Sequence, residues 1–164
     1  MKKLVSVVTT LAMVLAFAVL ANAEDKATPK ECVQKVQEAV KLIQDKGDAA
    51  FDTLRDKNGP FVWKDSYVFV MDFDGVMKVH PMNPKLEGRN LNMIKDSSGK
   101  MFNAEMVAVA KGPGQGWVDY LWLKPGASQP SPKVSYIVGI PDKNLLVGAG
   151  VWDMTKAEAE KEAK

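Results

Sequence analysis

The sequence predicts an α+β domain in which a long helix precedes an antiparallel sheet and a shorter helix interrupts it. Three observations support this prediction. Residues 29–54 repeat apolar side chains at alternating spacings of three and four, which is typical of an amphipathic helix. Five later segments are rich in aromatic and β-branched residues, as strands are. Turn-forming residues separate most of these segments, and strands that follow one another through turns pair antiparallel.

The first 23 residues have the pattern of a secretory signal peptide. A short positive segment, Met1-Lys2-Lys3, precedes an apolar run over residues 4–20, and Ala21-Asn22-Ala23 carries the small residues of a cleavage site. We therefore expect cleavage after Ala23 and a soluble, periplasmic protein. An uncleaved membrane anchor is the alternative, because the apolar run approaches the length that crosses a bilayer. Residues 24–154 would then form the folded domain, and residues 155–164 a polar, frayed helical tail.

The charge balance argues against one class of partner. The chain has 22 basic and 20 acidic residues, and two of the lysines lie in the predicted leader, so the remaining chain is close to neutral. A protein that binds nucleic acid needs a basic surface, since phosphate contacts dominate its affinity. We therefore expect no nucleic-acid partner.

A capping box marks the start of the long helix. Thr28 is the expected N-cap, Pro29 the first helical residue and Glu31 the side chain that reaches back to the cap. The apolar positions form a narrow seam, which we expect to pack on the domain's own sheet, with a coiled-coil partner or homodimer as the alternative. The seam consists of Val33, Val36, Val40, Ile43, Gly47, Ala50 and Leu54, and residues 56–60 end the helix.

Cys32, the only cysteine, falls in the first turn of this helix. It has no partner within the chain, so an internal disulfide is excluded. We expect a buried free thiol; an intermolecular disulfide across a dimer is the alternative.

Residues 67–80 predict a β-hairpin. Aromatic and β-branched residues alternate through 67–73, Asp74-Gly75 supplies a two-residue turn, and residues 76–80 return. In that register Met71 faces Lys78 and Phe69 faces His80. Because side chains alternate along a strand, one side of the sheet then carries Tyr67, Phe69, Lys78 and His80. An aromatic wall with one histidine and one cation is typical of half a small-molecule pocket.

The rest of the chain predicts a helix and three strands. The helix covers about residues 100–110, with Phe102, Met106 and Val109 on one face. The glycines of residues 112–116 indicate either a mobile flap or a tight entry into the next strand. The three strands cover residues 117–123, 133–140 and 145–152.

Several short motifs together resemble the single Cache domain (type 2-like), the extracytoplasmic sensing module of bacterial chemoreceptors and histidine kinases. In order they are Phe61-x-Trp63, Tyr67-Val68-Phe69-Val70, Asp74-Gly75, His80-Pro81, Gly88-Arg89-Asn90, Gly116-Trp117-Val118-x-Tyr120-x-Trp122, Lys133-x-x-Tyr136 and Gly148-x-Gly150. The resemblance implies a PAS-like antiparallel sheet of five to six strands, a long N-terminal helix, and a helical connection over one face. It also implies a pocket between the sheet and its connecting segments that binds small organic molecules, often short carboxylates.

Two features depart from the family pattern. The chain ends soon after the sheet, where a family member usually continues into a second transmembrane helix, so we expect a separate membrane sensor kinase or chemoreceptor as the signalling partner. Leu145 and Leu146 stand where the last hairpin usually carries an aromatic residue, which predicts a different pocket floor.

A pocket for a small anion needs an apolar wall and a few donors. The candidate wall consists of Tyr67, Phe69, Trp117, Tyr120, Trp122 and Tyr136, any of which could instead be core. The candidate cations are His80, Arg89 and Lys133, and Arg89 could hold a carboxylate through two parallel hydrogen bonds. On a regular strand Tyr120 and Trp122 share a face, so Trp117 lies in the preceding loop or packs on the other side.

No catalytic or metal-binding constellation is visible in the sequence. Asp72-x-Asp74-Gly75 lacks the later glutamate of a calcium loop, and a single histidine makes a catalytic triad improbable. We expect no cofactor and no enzymatic activity. The expected function is periplasmic sensing of a short organic acid for chemotaxis or related signalling; a ligand-free protein-interaction accessory and a small-molecule enzyme are the alternatives.

Overall fold

A computed structural model describes residues 26–164, and the predicted signal peptide lies outside this range. Six antiparallel strands form the sheet: β1 (Val62–Trp63), β2 (Ser66–Asp72), β3 (Met77–Val79), β4 (Gln115–Leu123), β5 (Pro130–Ile140) and β6 (Leu145–Trp152). The strand order is β1-β2-β6-β5-β4, and β3 pairs with β2. The helices are α1 (Pro29–Lys46), α2 (Ala50–Arg55), α3 (Phe102–Lys111) and α4 (Lys156–Glu162). The predicted α+β class is confirmed.

The sheet is covered on both faces. One face packs against α1, and the other packs against α3 and the long connection that follows β3. Within residues 26–164, none of the helices combines the length and the apolar character that a membrane span requires.

The N-terminal helix forms as predicted at its start. The Thr28 side chain accepts a hydrogen bond from the Glu31 amide, and the Glu31 carboxylate accepts one from the Thr28 amide. The seam packs on the domain's own sheet, since Val36 and Ile43 are fully buried in one cluster with residues of β2 and β6. Cys32 is a buried free thiol, also as predicted, and burial raises its pKa to about 12.

The helix is shorter than predicted. Gly47 has a φ of +59°, a left-handed conformation that glycine adopts without steric cost, and it ends α1. A 3-10 turn, Gly47–Ala49, then leads into α2, so the predicted continuous helix is two helices. The later part of the seam stays on the core side, because Ala50 and Leu54 are fully buried.

The β2–β3 hairpin differs from the prediction at its turn. The Asp72 amide donates to the Val76 carbonyl across a three-residue loop that ends at Gly75, whose φ is +84°. Met71 therefore pairs with Met77 and not with Lys78. A bulge at Lys78 inserts one extra residue and restores the predicted register, so that Val70 pairs with Val79. Lys78 forms an ion pair with Asp72 instead of sharing the side of His80.

The remaining elements confirm most of the expected order. Residues 112–116 form a tight entry into β4, and α3 covers almost the predicted residues. The C-terminal segment is helical but not frayed. Thr155 caps α4 with a second capping box, and Ala159 is fully buried against the core.

Candidate functional site

Side chains on the sheet alternate between two environments. On β2, Tyr67, Phe69 and Met71 face α3, whereas Val68 and Val70 face α1. A small cavity lies between the first of these faces and α3. Its lining residues are Tyr67, Phe69, Met77, His80, Leu91, Phe102, Asn103, Met106, Tyr120 and Trp122. This cavity is the candidate site.

A wider cleft connects the site to the surface. The cleft offers about 440 Å³ and shares Tyr67, His80 and Trp122 with the cavity. Residues 95–97 of the long connection border it on one side, and the β4–β5 loop borders it on the other. A small molecule would therefore reach the cavity between these two loops.

Aromatic rings pack against one another around the site. Phe102 stacks in parallel on Tyr120 with 4.5 Å between ring centroids, and it meets Trp122 edge to face at 5.4 Å. The Tyr120 hydroxyl lies 2.9 Å from the Ser135 hydroxyl, which satisfies both buried groups. The wall is thus rigid as well as apolar, and such rings bury much surface at low conformational cost.

His80 lies directly after β3 and next to the cavity wall. Its ring is 4.9 Å from the Tyr67 ring, between centroids. The Asn83 amide donates to His80 Nδ1 at 2.9 Å, so in the neutral ring the proton is on Nε2. Burial, and then the charge of Lys133, lowers the pKa of His80 to about 4. His80 is therefore neutral at pH 7 and offers its Nε2–H as a donor.

Lys133 is the most unusual residue of the site. Its side chain is 1% exposed, and Nζ has no hydrogen-bond partner among the described residues. Nζ lies 4.1 Å from the Tyr67 ring centroid and 4.6 Å from that of Trp152, so two aromatic faces surround the amine. Burial lowers its pKa to about 7. A buried cation without an anion is costly, which makes this amine a strong anchor for an anionic group.

Lys133 and His80 both contact the same aromatic side chain. The Lys133 amine lies against the Tyr67 ring, next to the cavity rather than among its lining residues. Trp122 lines the cavity together with Tyr67 and completes this end of the site. An anion at the Tyr67 end could therefore accept hydrogen bonds from both donors.

Two glycines of β6 make room for this arrangement. A Cβ atom on Gly148 would overlap Phe69 Cζ, and one on Gly150 would lie 2.9 Å from Lys133 Cε. Both positions lie on the cavity face, so the absent side chains allow Phe69 and Lys133 to cross β6 closely. The sequence analysis noted Gly148-x-Gly150 but assigned these glycines no role. Two glycines two positions apart in a strand lie on the same face, and this spacing was the feature that indicated a close contact there.

The structure does not bring three of the predicted binding residues to the cavity. Trp117 and Tyr136 form a pair on the α1 side of the sheet, with 5.3 Å between ring centroids. Tyr136 follows Lys133 by three positions, an odd number, and so points to the opposite face. Trp117 packs on the side of the sheet away from the cavity, which is one of the two positions predicted for it. Arg89 is exposed, and its backbone carbonyl accepts a hydrogen bond from the Met77 amide.

Sequence reasoning missed several residues that line the cavity. Asn103 is one of them, and the long connection and α3 supply others. The predicted apolar face of α3, with Phe102 and Met106, was the signal that this helix covers the site. Nothing in the sequence alone placed Asn103 beside that face. Among residues 26–164, no group of three or more His, Cys, Asp and Glu side chains is arranged to hold a metal ion.

Comparisons of the sequence and of the structure with known proteins indicate the same family. The sequence profile of the Cache domain family matches residues 2–164. A solved Cache chemosensory domain, described for its recognition of carboxylic acids, is 32% identical with a TM-score of 0.67 and covers 76% of this chain and 92% of that one. A periplasmic sensor domain of a chemotaxis protein is 30% identical with a TM-score of 0.61, covering 77% and 90%. A methyl-accepting chemotaxis protein from Vibrio parahaemolyticus is 26% identical with a TM-score of 0.65, covering 75% and 86%.

Two curated relatives are membrane signalling proteins. The methyl-accepting chemotaxis protein McpP of Pseudomonas putida is 41% identical over 95 residues, which is 57% of this chain and 18% of that protein. The sensor histidine kinase MctS of Rhizobium johnstonii is 38% identical over 89 residues, which is 54% of this chain and 19% of that protein. The chain therefore spans less than a fifth of either relative along the matched region.

Proposed function

This chain belongs to the Cache domain family, and from that membership we propose that it is a periplasmic sensing module for a short organic acid. The observation that carries the proposal is the Lys133 amine, which is buried and has no partner among the described residues. A neutral His80, whose Nε2–H has no partner among the described residues, also lies against Tyr67. Together they provide two donors for one small anion.

The chemistry of the lining favours an anion over a cation. None of the described residues that line the cavity is an aspartate or a glutamate, so an ammonium group would find no counter-charge there. A carboxylate would accept hydrogen bonds from His80 Nε2 and Lys133 Nζ, and such charge-assisted bonds are stronger than neutral ones. Its pairing with Lys133 would also remove the cost of the isolated buried charge.

The size of the cavity favours a short molecule. The space inside it that the centre of a water-sized sphere can reach is about 20 Å³, which limits the occupant to a very small molecule. With the carboxylate at the Tyr67 end, a short carbon chain would contact Phe69, Met77 and Met106. The solved Cache domain described for carboxylic acid recognition supports the same ligand class.

Isothermal titration with acetate and propionate tests this function. We expect Lys133→Met and His80→Ala each to weaken binding about a hundredfold, because each removes a donor to a charged group in a water-poor site. Arg89→Met is the matched control, since Arg89 is an exposed cation outside the cavity. It should bind within about threefold of the parent protein. Equal affinity of Lys133→Met and the parent would assign Lys133 a structural role.

The cellular setting is part of the proposal. The leader pattern of residues 1–23 supports export and cleavage after Ala23, which the intact mass of the exported protein would test. The relatives support a membrane chemoreceptor or sensor kinase as the signalling partner. Val33 and Val40 of α1 pack at the border of the core and remain half-exposed, which supports a homodimer through that helix. We assign sensing rather than catalysis to the cavity, because it contains no nucleophile paired with a base.

A further inference from the structure

We propose that Asn103 makes the cavity selective for carboxylic acids that carry a hydroxyl group over the same acids without one. The inference rests on the proposed function and deepens it, because it concerns the second polar contact of the same ligand. Asn103 is 3% exposed, is the second residue of α3, and lines the cavity together with hydrophobic side chains of the same helix.

The orientation of the Asn103 amide follows from its one hydrogen bond. The side-chain Nδ2 lies 3.2 Å from the Leu91 carbonyl oxygen, which accepts hydrogen bonds and cannot donate them. The nitrogen of the amide must therefore point to Leu91, and the oxygen must point the other way. Asn103 Oδ1 has no hydrogen-bond donor among residues 26–164. A carbonyl acceptor in the lining is thus left for whatever occupies the cavity.

The site as a whole therefore offers two kinds of polar contact. His80 and Lys133 supply donors, which suit a carboxylate, and Asn103 supplies an acceptor, which suits a group with an O–H or N–H. The lining between them is apolar. A ligand that satisfies all three residues carries a carboxylate and a separate hydrogen-bond donor on a short carbon skeleton.

The charge of the surroundings selects a hydroxyl over an ammonium as that donor. Asn103 Oδ1 is uncharged, and none of the described lining residues is acidic. Lys133 adds a positive charge to the same site when it is protonated. An ammonium group would therefore be desolvated without a counter-charge, whereas a neutral hydroxyl would not.

Matched pairs of acids test this inference by isothermal titration. Propionate, lactate and 3-hydroxypropionate share one carbon skeleton, and alanine and β-alanine replace the hydroxyl with an ammonium. For the parent protein we expect at least one hydroxy acid to bind about tenfold more tightly than propionate, because its hydroxyl donates to Asn103 Oδ1. We expect both amino acids to bind more weakly than propionate.

Substitutions of Asn103 then assign the preference to this residue. Asn103→Leu should reduce the ratio of hydroxy-acid to propionate affinity to within about threefold, and Asn103→Ala provides a second variant if the leucine prevents folding. A purely structural role, in which Asn103 only ties α3 to Leu91, would lower both affinities and leave their ratio unchanged. Val109→Ala is the control, because Val109 lies on the same helix but is not among the residues that line the cavity, and its ratio should equal that of the parent.

The outcomes separate this inference from the proposed function. If none of the acids binds, the proposed function fails and the inference fails with it. If propionate and both hydroxy acids bind the parent protein with equal affinity, the carboxylate site stands and the role of Asn103 is overturned. A preference that survives in both Asn103 variants overturns it as well.

Discussion

The two faces of the sheet differ in how closely their side chains pack. The face toward α1 is a closed layer of side chains such as Val36, Ile43 and Val147, all fully buried. The face toward α3 contains a cavity and glycines at positions where side chains would fit poorly. It also contains the Lys133 amine, which has no hydrogen-bond partner in the part of the chain that the structure describes. Neighbouring residues of one strand thus belong to opposite environments.

This difference indicates a division of roles within one small domain. Close packing on the α1 face supplies the hydrophobic stabilisation that folding requires. The α3 face can then keep a charged amine without a partner, a state that lowers stability and favours binding of an anion. Variants on the two faces should therefore separate stability from affinity.

The largest effect on stability is expected on the α1 face. Ile43→Ala removes a fully buried side chain from the closed layer and should lower the free energy of unfolding by about 2–4 kcal/mol. The affinity for propionate should stay within about threefold, because Ile43 lies on the other side of the sheet from the cavity. Urea unfolding measures the first quantity and titration the second. A loss of less than roughly 0.5 kcal/mol would mean that the seam is exposed in solution.

A substitution in β6 should affect both quantities. In Gly148→Ala the new methyl group would overlap the ring of Phe69 and approach the Ile137 side chain. We expect a loss of about 1–3 kcal/mol in stability from overpacking, together with weaker propionate binding as Phe69 moves into the cavity. Gly88→Ala would not serve as a control, because Gly88 has a φ of +78° and alanine would be strained in that conformation. Ala149→Gly, on the opposite face of the same strand, should lower stability without reducing affinity.

The ionisation of Lys133 predicts how stability and propionate affinity depend on pH. Its folded-state pKa of about 7 lies below the ordinary value of 10.5, so between these values the unfolded chain binds more protons than the folded one. The contribution of Lys133 to stability without ligand should therefore rise with pH through this window. Anion binding requires the protonated amine, so affinity for propionate should fall by up to about tenfold for each pH unit above 7. Lys133→Met should abolish that dependence in titrations at pH 7, 8 and 9.

The smallest effects are expected for the aromatic pair on the α1 face. Trp117→Phe and Tyr136→Phe keep an aromatic ring on the side of the sheet that faces away from the cavity. Propionate affinity should remain within about threefold in each variant by titration. A tenfold loss in either variant would show that binding depends on both layers, and the division between the faces would then be incorrect.

Local patterns predicted much of the fold. The capping box of α1, its buried side and the alternation along β4 depend on residues close in sequence, and the structure has them as expected. The register near the hairpin turn was wrong, because β3 also pairs with the long connection. The Met77 amide bonds to the Arg89 carbonyl, and the Gly88 amide bonds to the Met77 carbonyl. Such contacts join segments that sequence reasoning treats separately.

The same distinction applies to the site. Tyr67, Phe69 and His80 were brought together correctly, because the bulge at Lys78 cancels the extra residue of the turn. Arg89 was misplaced, since chemical suitability for a carboxylate does not determine which way a loop residue points. The absence of a partner for Lys133 and the orientation of Asn103 could not be predicted, because both depend on every element that surrounds them.

Unfolding of the parent protein and Lys133→Met at pH 7, each with and without propionate, is the most direct test. Without ligand, the variant should be more stable by about 1–3 kcal/mol, because methionine fills the same apolar space without a buried charge. Propionate should stabilise the parent protein by mass action and leave the variant unchanged. A variant that is less stable than the parent and still gains stability from propionate would contradict the role of Lys133 as the unpaired anchor of the anion.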